Sequence, residues 1–412
     1  MEMKFTIEAV TPIFIAGADQ RSIENEGLRA PSLRGLMRWW FRALAGDYLG
    51  DSLRHLKEAE SEIFGSSSLK SKVLLRTSCA DSPAGITKEY RTWKEATVWS
   101  NYVDYLFFSC LDKRKDRRTN LIKVISRPYY PEKSTFEIDI FGYQNELKVA
   151  LASLWALIYL GGLGFRARRG SGCLKVKKVE GDTYGLNFIC DDPKKLEEFL
   201  IRNINKALNS VGEWLKTKQY ISTVPTSPKY AILSPHHSAL FIKKVYSKNW
   251  ISALDEIGKW YIGQRQERRF VGGFRADLAD YNFSHAIGNA IRNGNISSDK
   301  ERRPYLGLPI TYATYKATLI GENFDRRASP LIFGVYEING NYVPRILLFK
   351  SPFLKDFTGN FVIKKKIRRD EGESEITLET HLPNNKIFGK IMKDAFEDLK
   401  ASNWQIIWGS IE

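Results

Sequence analysis

Residues 4–15 (KFTIEAVTPIFI) set Phe5, Ile7 and Ala9 against Thr6 and Glu8. Alternation of period two predicts a half-buried strand. Gly17 to Ala30 is polar and reads as a loop. From Leu33 the period changes: Leu36, Met37, Trp40, Phe41, Leu44 and Tyr48 fall on one face of a helix, with Ser32 as its expected N-cap. A second helix is expected from Ser52 to Phe64, closed by Gly65. Val73–Thr77 and the trio Phe136, Ile138 and Ile140 read as strands. The charged stretch Asp112 to Arg118 (DKRKDRR) between them reads as an exposed loop.

Val149 to Phe165 is a run of 17 residues without a charge, ending in Gly161, Gly162 and Gly164. A membrane span needs about 20 apolar residues, so the run predicts a helix over 146–160 buried against a sheet. Cys173 to Val179 then reads as a closing strand. The order β-α-β-β-α-β with insertions is the ferredoxin-like arrangement, shared with the RRM.

The second half is less regular. Leu196–Lys216, 249–262, 281–292 and Ile387–Leu399 have helical periodicity, the last as the terminal helix. Thr217–Lys229, with Pro225 and Pro228, reads as a linker, and Ala239–Val245 as a strand. Residues 331–338 and 342–350 pair as a hairpin around Asn339-Gly340. Lys364 to Arg369 is a charged run before an acidic turn at Asp370–Glu375. The expected fold class is α+β: two ferredoxin-like (RRM-like) domains with insertions, packed together, over residues 1–190 and 191–412.

Charge narrows the partners. The 412 residues carry 63 Lys+Arg against 47 Asp+Glu, a net charge of +16. Such an excess suits nucleic acid or an anionic membrane, and the shortness of the uncharged run argues against the membrane. Cys79, Cys110, Cys173 and Cys190 stand singly, without a CxxC, so no zinc ribbon or thioredoxin-type site is signalled. The first ten residues alternate and lack the apolar core of a signal peptide. A reducing, cytoplasmic setting is expected, with no cofactor and no metal.

The cations concentrate locally. Gly161 to Lys178 (GGLGFRARRGSGCLKVKK) holds Arg166, Arg168, Arg169, Lys175, Lys177 and Lys178 and no acid. Glycines such as Gly162, Gly164 and Gly170 permit close backbone approach, so amides and guanidinium forks together suit phosphate oxygens. The loop runs from helix to strand, the reverse of a mononucleotide-binding turn, which favours a nucleic-acid backbone. Arg34, Arg38 and Arg42 form a second stripe, four residues apart, with no acid at i±4. Weaker clusters sit at Arg265–Arg275, including Arg268 and Arg269, at Arg302-Arg303, and at Arg326-Arg327. Trp39 flanks the apolar face of its helix and reads as packing against a neighbouring domain, with stacking on a base as the alternative. The aromatic signature of an RRM sheet face is absent. None of the five histidines forms a recognisable catalytic or metal-binding motif.

The stretches LRAPSLRGLMRWWFRAL (28–44), EIFGS (62–66) and GGLGFRARRGSG (161–172) resemble the RAMP superfamily of CRISPR effector proteins. More narrowly, they resemble the first-subunit family of type III-B (Cmr) RNA-targeting complexes. LGLP (306–309) and RRASPL (326–331) echo it in the second half. The resemblance implies two ferredoxin-like domains and a subunit that does not cut RNA. It also implies contact with guide RNA and target RNA near the guide 3′ end, and with other Cmr-complex RAMP subunits. On that reading Arg34, Arg38, Arg42, Arg166, Arg168 and Arg169 touch phosphates. Some RAMP proteins are instead metal-independent endonucleases that process guide RNA with a histidine near the first helix; His55 is the candidate here.

Overall fold

In the computed structural model, residues 1–15, 27–79, 81–220, 230–265, 296–297, 310–312, 317–321, 328–350, 361–369, 372–381 and 385–411 are described. The first half begins with β1 (Glu2–Ala9), α1 (Ala30–Leu49), α2 (Leu53–Phe64) and β2 (Val73–Cys79). An insertion follows: β3 (Thr87–Tyr90), α3 (Asn101–Leu106), β4 (Leu111–Lys115) and β5 (Ile122–Ser126). Then come β6 (Thr135–Gly142), α4 (Gln144–Leu160) and β7 (Leu174–Glu180) and, beyond residue 190, α5 (Leu196–Thr217).

The second half contributes β8 (Ser238–Ile242), α6 (Trp250–Arg265), β9 (Ile296–Ser297), β10 (Ile310–Tyr312) and β11 (Ala317–Gly321). It continues with β12 (Leu331–Ile338), β13 (Asn341–Phe349), β14 (Phe361–Arg369) and β15 (Gly372–His381). It closes with α7 (Asn385–Ala401) and β16 (Gln405–Ser410).

Alternation builds the first sheet. β1 buries Met3, Phe5, Ile7 and Ala9 and exposes or half-exposes the residues between them. The order is β2-β6-β1-β7 with every pairing antiparallel, so β1 and β2 run parallel with β6 between them. Helices α1 and α4 pack on this sheet and on each other, and α5 packs on α4. Fourteen residues of α4 are buried, among them Trp155 and every position from Val149 to Leu160. A helix that is apolar all round belongs inside a protein, and that is where this one lies. No helix among the described residues is long and apolar enough to cross a membrane.

The second sheet follows a different rule. Its order is β12-β13-β8-β16, again antiparallel. One face (Leu240, Ile242, Ile332, Leu347, Phe349) joins the core of the first half. The other face (Ala239, Phe241, Phe333, Ile346, Leu348) packs with residues of α6 and α7, such as Leu254 and Phe396. Burial on both faces explains why β8 and β13 show no polar–apolar alternation, with Arg345 as the one charge in them. The hairpin turn at Asn339-Gly340 has φ of 50° and 79°, the left-handed pair that matches strand twist. β9, β10, β11, β14 and β15 form a separate five-stranded sheet.

Four expectations are corrected. Ser32 lies inside α1; the cap position is Arg29, because Pro31 in the first turn starts the helix earlier. Asp112 to Lys115 is strand β4, at the edge of the three-stranded sheet β3-β5-β4, where outward charges are tolerated. The acidic residues from Glu373 lie in β15, with Glu375 opposite Lys366 and Glu373 opposite Arg368 across the hairpin. Finally, α7 is followed by β16, a short strand whose central residues alone are buried. The helix expected at 281–292, residues 16–26 of the first loop and residues 221–229 of the linker lie outside the described residues.

Candidate nucleic-acid interface

The glycine-rich loop leaves α4 and is fastened at once to the chain beyond β1. Gly172 N–H donates to the Pro12 carbonyl at 2.9 Å, and Phe165 N–H to that of Phe14 at 2.7 Å. Leu163 N–H donates to the Gly172 carbonyl at 2.9 Å, closing the loop on itself. Thr11 Oγ1 donates to the Gly170 carbonyl at 2.8 Å. The amides of Leu163, Phe165 and Gly172 therefore serve the protein's own carbonyls. The glycines are needed for chain crossing: a Cβ on Gly172 (φ 66°) would lie 1.9 Å from the Leu163 oxygen, and one on Gly164 (φ 82°) 2.5 Å from the Phe14 oxygen. Gly162 faces the carbonyls of Ser171 and Gly172, and Gly170 faces Leu254 of α6.

The loop's cations divide by burial. Arg168 donates from Nη1 to the Ser329 carbonyl at 2.7 Å, and its guanidinium lies 4.8 Å from the Trp39 ring. Burial first, and Arg169 alongside, pull Arg168 down to about 10, so it remains charged at neutral pH. Arg169 lies over Tyr261 at 4.4 Å and Phe333 at 5.2 Å. Both arginines therefore tie the loop to the second half. Lys175 pairs with Glu8 at 2.9 Å and with Glu337. Burial alone would lower the lysine; Glu337 and then Glu8 reverse that and hold it above its ordinary value. Lys177 reaches Glu8 at 3.5 Å, and Lys178 pairs with Glu180 at 2.6 Å on the surface. The acid-free stretch thus meets acids on β1 (Glu8), on β12 (Glu337) and at the end of β7 (Glu180). At the outer tip, Arg166 (φ 64°) donates from Nε to Ser109 Oγ at 2.6 Å beside the exposed ring of Phe165.

Two of the three arginines of the α1 stripe are likewise paired, against expectation. Arg38 Nε and Arg42 Nη1 lie 2.5 and 2.6 Å from the two carboxylate oxygens of Glu60 on α2. The Glu60 side chain is 9% exposed, while the arginines keep about a third of theirs in solvent. The i±4 rule sees only one helix, and the partner comes from the next. Arg34 Nε is buried with no hydrogen-bond partner among the described residues. Trp39 packs edge-on against Phe349 of β13 at 6.0 Å.

Comparison with known proteins fits this architecture. The model of the RAMP superfamily matches residues 6–175. The Cmr subunit Cmr1-2 of Pyrococcus furiosus is 48% identical over 183 residues, which span 43% of the chain and 96% of that relative. The chain belongs to the Cmr1 family. A second relative, Cmr1-1 of the same organism, is 28% identical over 390 residues, covering 94% of the chain and 98% of the relative. Among solved structures, apo Cmr1 from Pyrococcus furiosus superposes with a TM-score of 0.56 at 23% identity, over 99% of each chain. A chain of the type III-B Cmr-beta assembly bound to cognate target RNA gives 0.50 at 15% identity, over 96% of this chain and 99% of that one.

In this Cmr1-family chain, Arg268, Arg269, Arg302, Arg303, Arg326 and Arg327 lie outside the described residues. His55 is stacked on Tyr220 (centroids 5.4 Å apart, planes at 24°), with Nδ1 3.0 Å from Ser52 Oγ. Among the described residues, no group of three His, Cys, Asp or Glu converges as a metal site would require. Sequence reasoning missed Arg345, which is buried, and the pair Arg127 and Phe108. A lone cation inside the apolar strand YVPRILLF was the available signal for Arg345.

Proposed function

We propose that the chain is a non-catalytic RNA-binding subunit of a type III-B Cmr complex, touching guide and target RNA near the guide 3′ end. The observation that carries this reading is the match to two relatives named as Cmr subunits, one at 48% identity over 43% of the chain and one at 28% over 94% of it. The RNA named with the Cmr-beta assembly and the +16 charge support an RNA partner. The geometry supports Arg166, at the loop tip, as a phosphate contact, with Arg38 and Arg42 as partly exposed additions. In the same reading the two halves, about 1–190 and 191–412, are ferredoxin-like domains. Each central sheet, numbered within its own half by its four strands, has the order 2-3-1-4. The five-stranded sheet is then an insertion in the second.

The test mixes the purified chain with single-stranded RNA and with the other Cmr subunits of its host. Expected is co-elution with those subunits, and RNA affinity that falls with salt at a log–log slope of about −0.7 per phosphate contact. A chain that binds neither RNA nor Cmr subunits overturns the reading. So does metal-independent cleavage of repeat RNA in EDTA that is lost in His55→Ala.

A further inference from the structure

Phe165 stands between two residues of positive φ, Gly164 at 82° and Arg166 at 64°. An arginine in the left-handed region is uncommon and persists only where neighbours hold it. Here Phe165 N–H is bound to the Phe14 carbonyl, and Arg166 Nε to Ser109 Oγ. The outcome is a phenyl ring 42% exposed at the loop tip, directly after a long buried helix.

Ser109 gathers the rest of the patch. Its carbonyl accepts from Arg127 Nε at 3.2 Å, and the Arg127 guanidinium lies 4.6 Å from the Phe165 ring centre. The Arg166 guanidinium lies 5.9 Å from the same ring. Phe108, the residue before Ser109, is 70% exposed. An exposed ring beside two arginines, and a second exposed ring one residue from the serine that both arginines touch, run against burial. Unpaired nucleic-acid bases offer the matching chemistry: a flat π-face for each ring and an anionic phosphate for each guanidinium.

We propose that Phe165 and Phe108, flanked by Arg166 and Arg127, form a stacking platform for unpaired RNA bases. This rests on the RNA-binding reading above and adds that bases, and not only phosphates, are held. The probe is a short single-stranded RNA, set against an RNA of equal length built from abasic nucleotides, with the full-length chain and fluorescence anisotropy as readout. The unaltered chain should prefer the base-bearing RNA. Phe165→Ala with Phe108→Ala should lose on the order of tenfold for that RNA and nothing for the abasic one, at unchanged salt slope. Phe165→Tyr should retain the preference, which separates stacking from a folding defect. Equal affinity of the unaltered chain for both RNAs, or undiminished preference in the double variant, overturns the platform while leaving RNA binding intact. Absence of binding to either RNA overturns both.

Discussion

Arg345 and Leu160 are 185 positions apart, yet Arg345 Nη1 donates to the Leu160 carbonyl at 2.8 Å, and Nη2 to that of Gly161 at 2.6 Å. A guanidinium from the second half thus finishes the C-terminus of α4, where carbonyls lack helical partners and the dipole is negative. It is 1% exposed. Space for it comes from Gly334, its cross-strand neighbour, where a Cβ would lie 2.5 Å from the guanidinium carbon.

Replacing Arg345 with Met keeps much of the volume and strands both carbonyls. A loss of about 2–4 kcal/mol is expected, read as a lower urea midpoint. Arg345→Lys should not restore it, because a single ammonium does not reproduce the planar fork. An unchanged midpoint in either variant would refute the capping role.

The Glu60 clamp leads to a different measurement. Glu60→Gln leaves Arg38 and Arg42 facing each other without their shared carboxylate, and about 1–2 kcal/mol of stability should go. In an Arg38→Ala, Arg42→Ala background the same change should cost less, as a double-mutant cycle would show. Additive losses would mean that the three side chains do not act together.

Two glycines should respond oppositely to alanine. Gly172→Ala combines positive φ with a carbonyl in the way and should cost several kcal/mol, roughly the scale of severe core lesions. Gly35 lies within α1, with nothing within 4 Å of an added Cβ. Gly35→Ala should therefore stabilise by about 0.5–1 kcal/mol through helix propensity. Thermal melts of both variants decide the matter.

Acid should weaken the protein through His237. Burial lowers this imidazole below its ordinary 6.5, and Lys350 adds to the effect against a weaker pull from Asp47. Between the folded value and 6.5 the unfolded chain binds a proton that the folded chain does not, so stability falls as pH drops through that window. Asp47 has the opposite sign: burial raises its carboxyl above 3.8, and its contribution is present at low pH and is lost as pH rises. His237→Leu should flatten the difference between urea midpoints at about pH 7.5 and about pH 5.5. A difference as large as in the unaltered chain would discount His237.

Legibility in the sequence followed exposure. Period two revealed β1 and β6 because one of their faces is buried, and period 3.6 revealed α1 and α5. β8 and β13 are buried on both sides and left no alternation. The glycine-rich loop was visible as a special site, but its glycines turned out to admit neighbouring chain. Arg168, Arg169 and Lys175 turned out to meet Trp39, Tyr261, Glu8 and Glu337, partners that local spacing does not reveal. Glu60 did leave a trace: it is an acid on the same helical face as Leu56, Ala59 and Ile63, all buried. Phe165 left one as well, an aromatic residue set among glycines and arginines.

The cap on α4 also imposes an order on synthesis. When the ribosome has released the first half, the carbonyls of Leu160 and Gly161 still await Arg345, and Trp39 still awaits Phe349. Native packing of that half is completed only when β13 emerges. A nascent chain arrested before residue 345 should therefore stay open to proteases around residues 161–173, and release of the remaining segment should close that window.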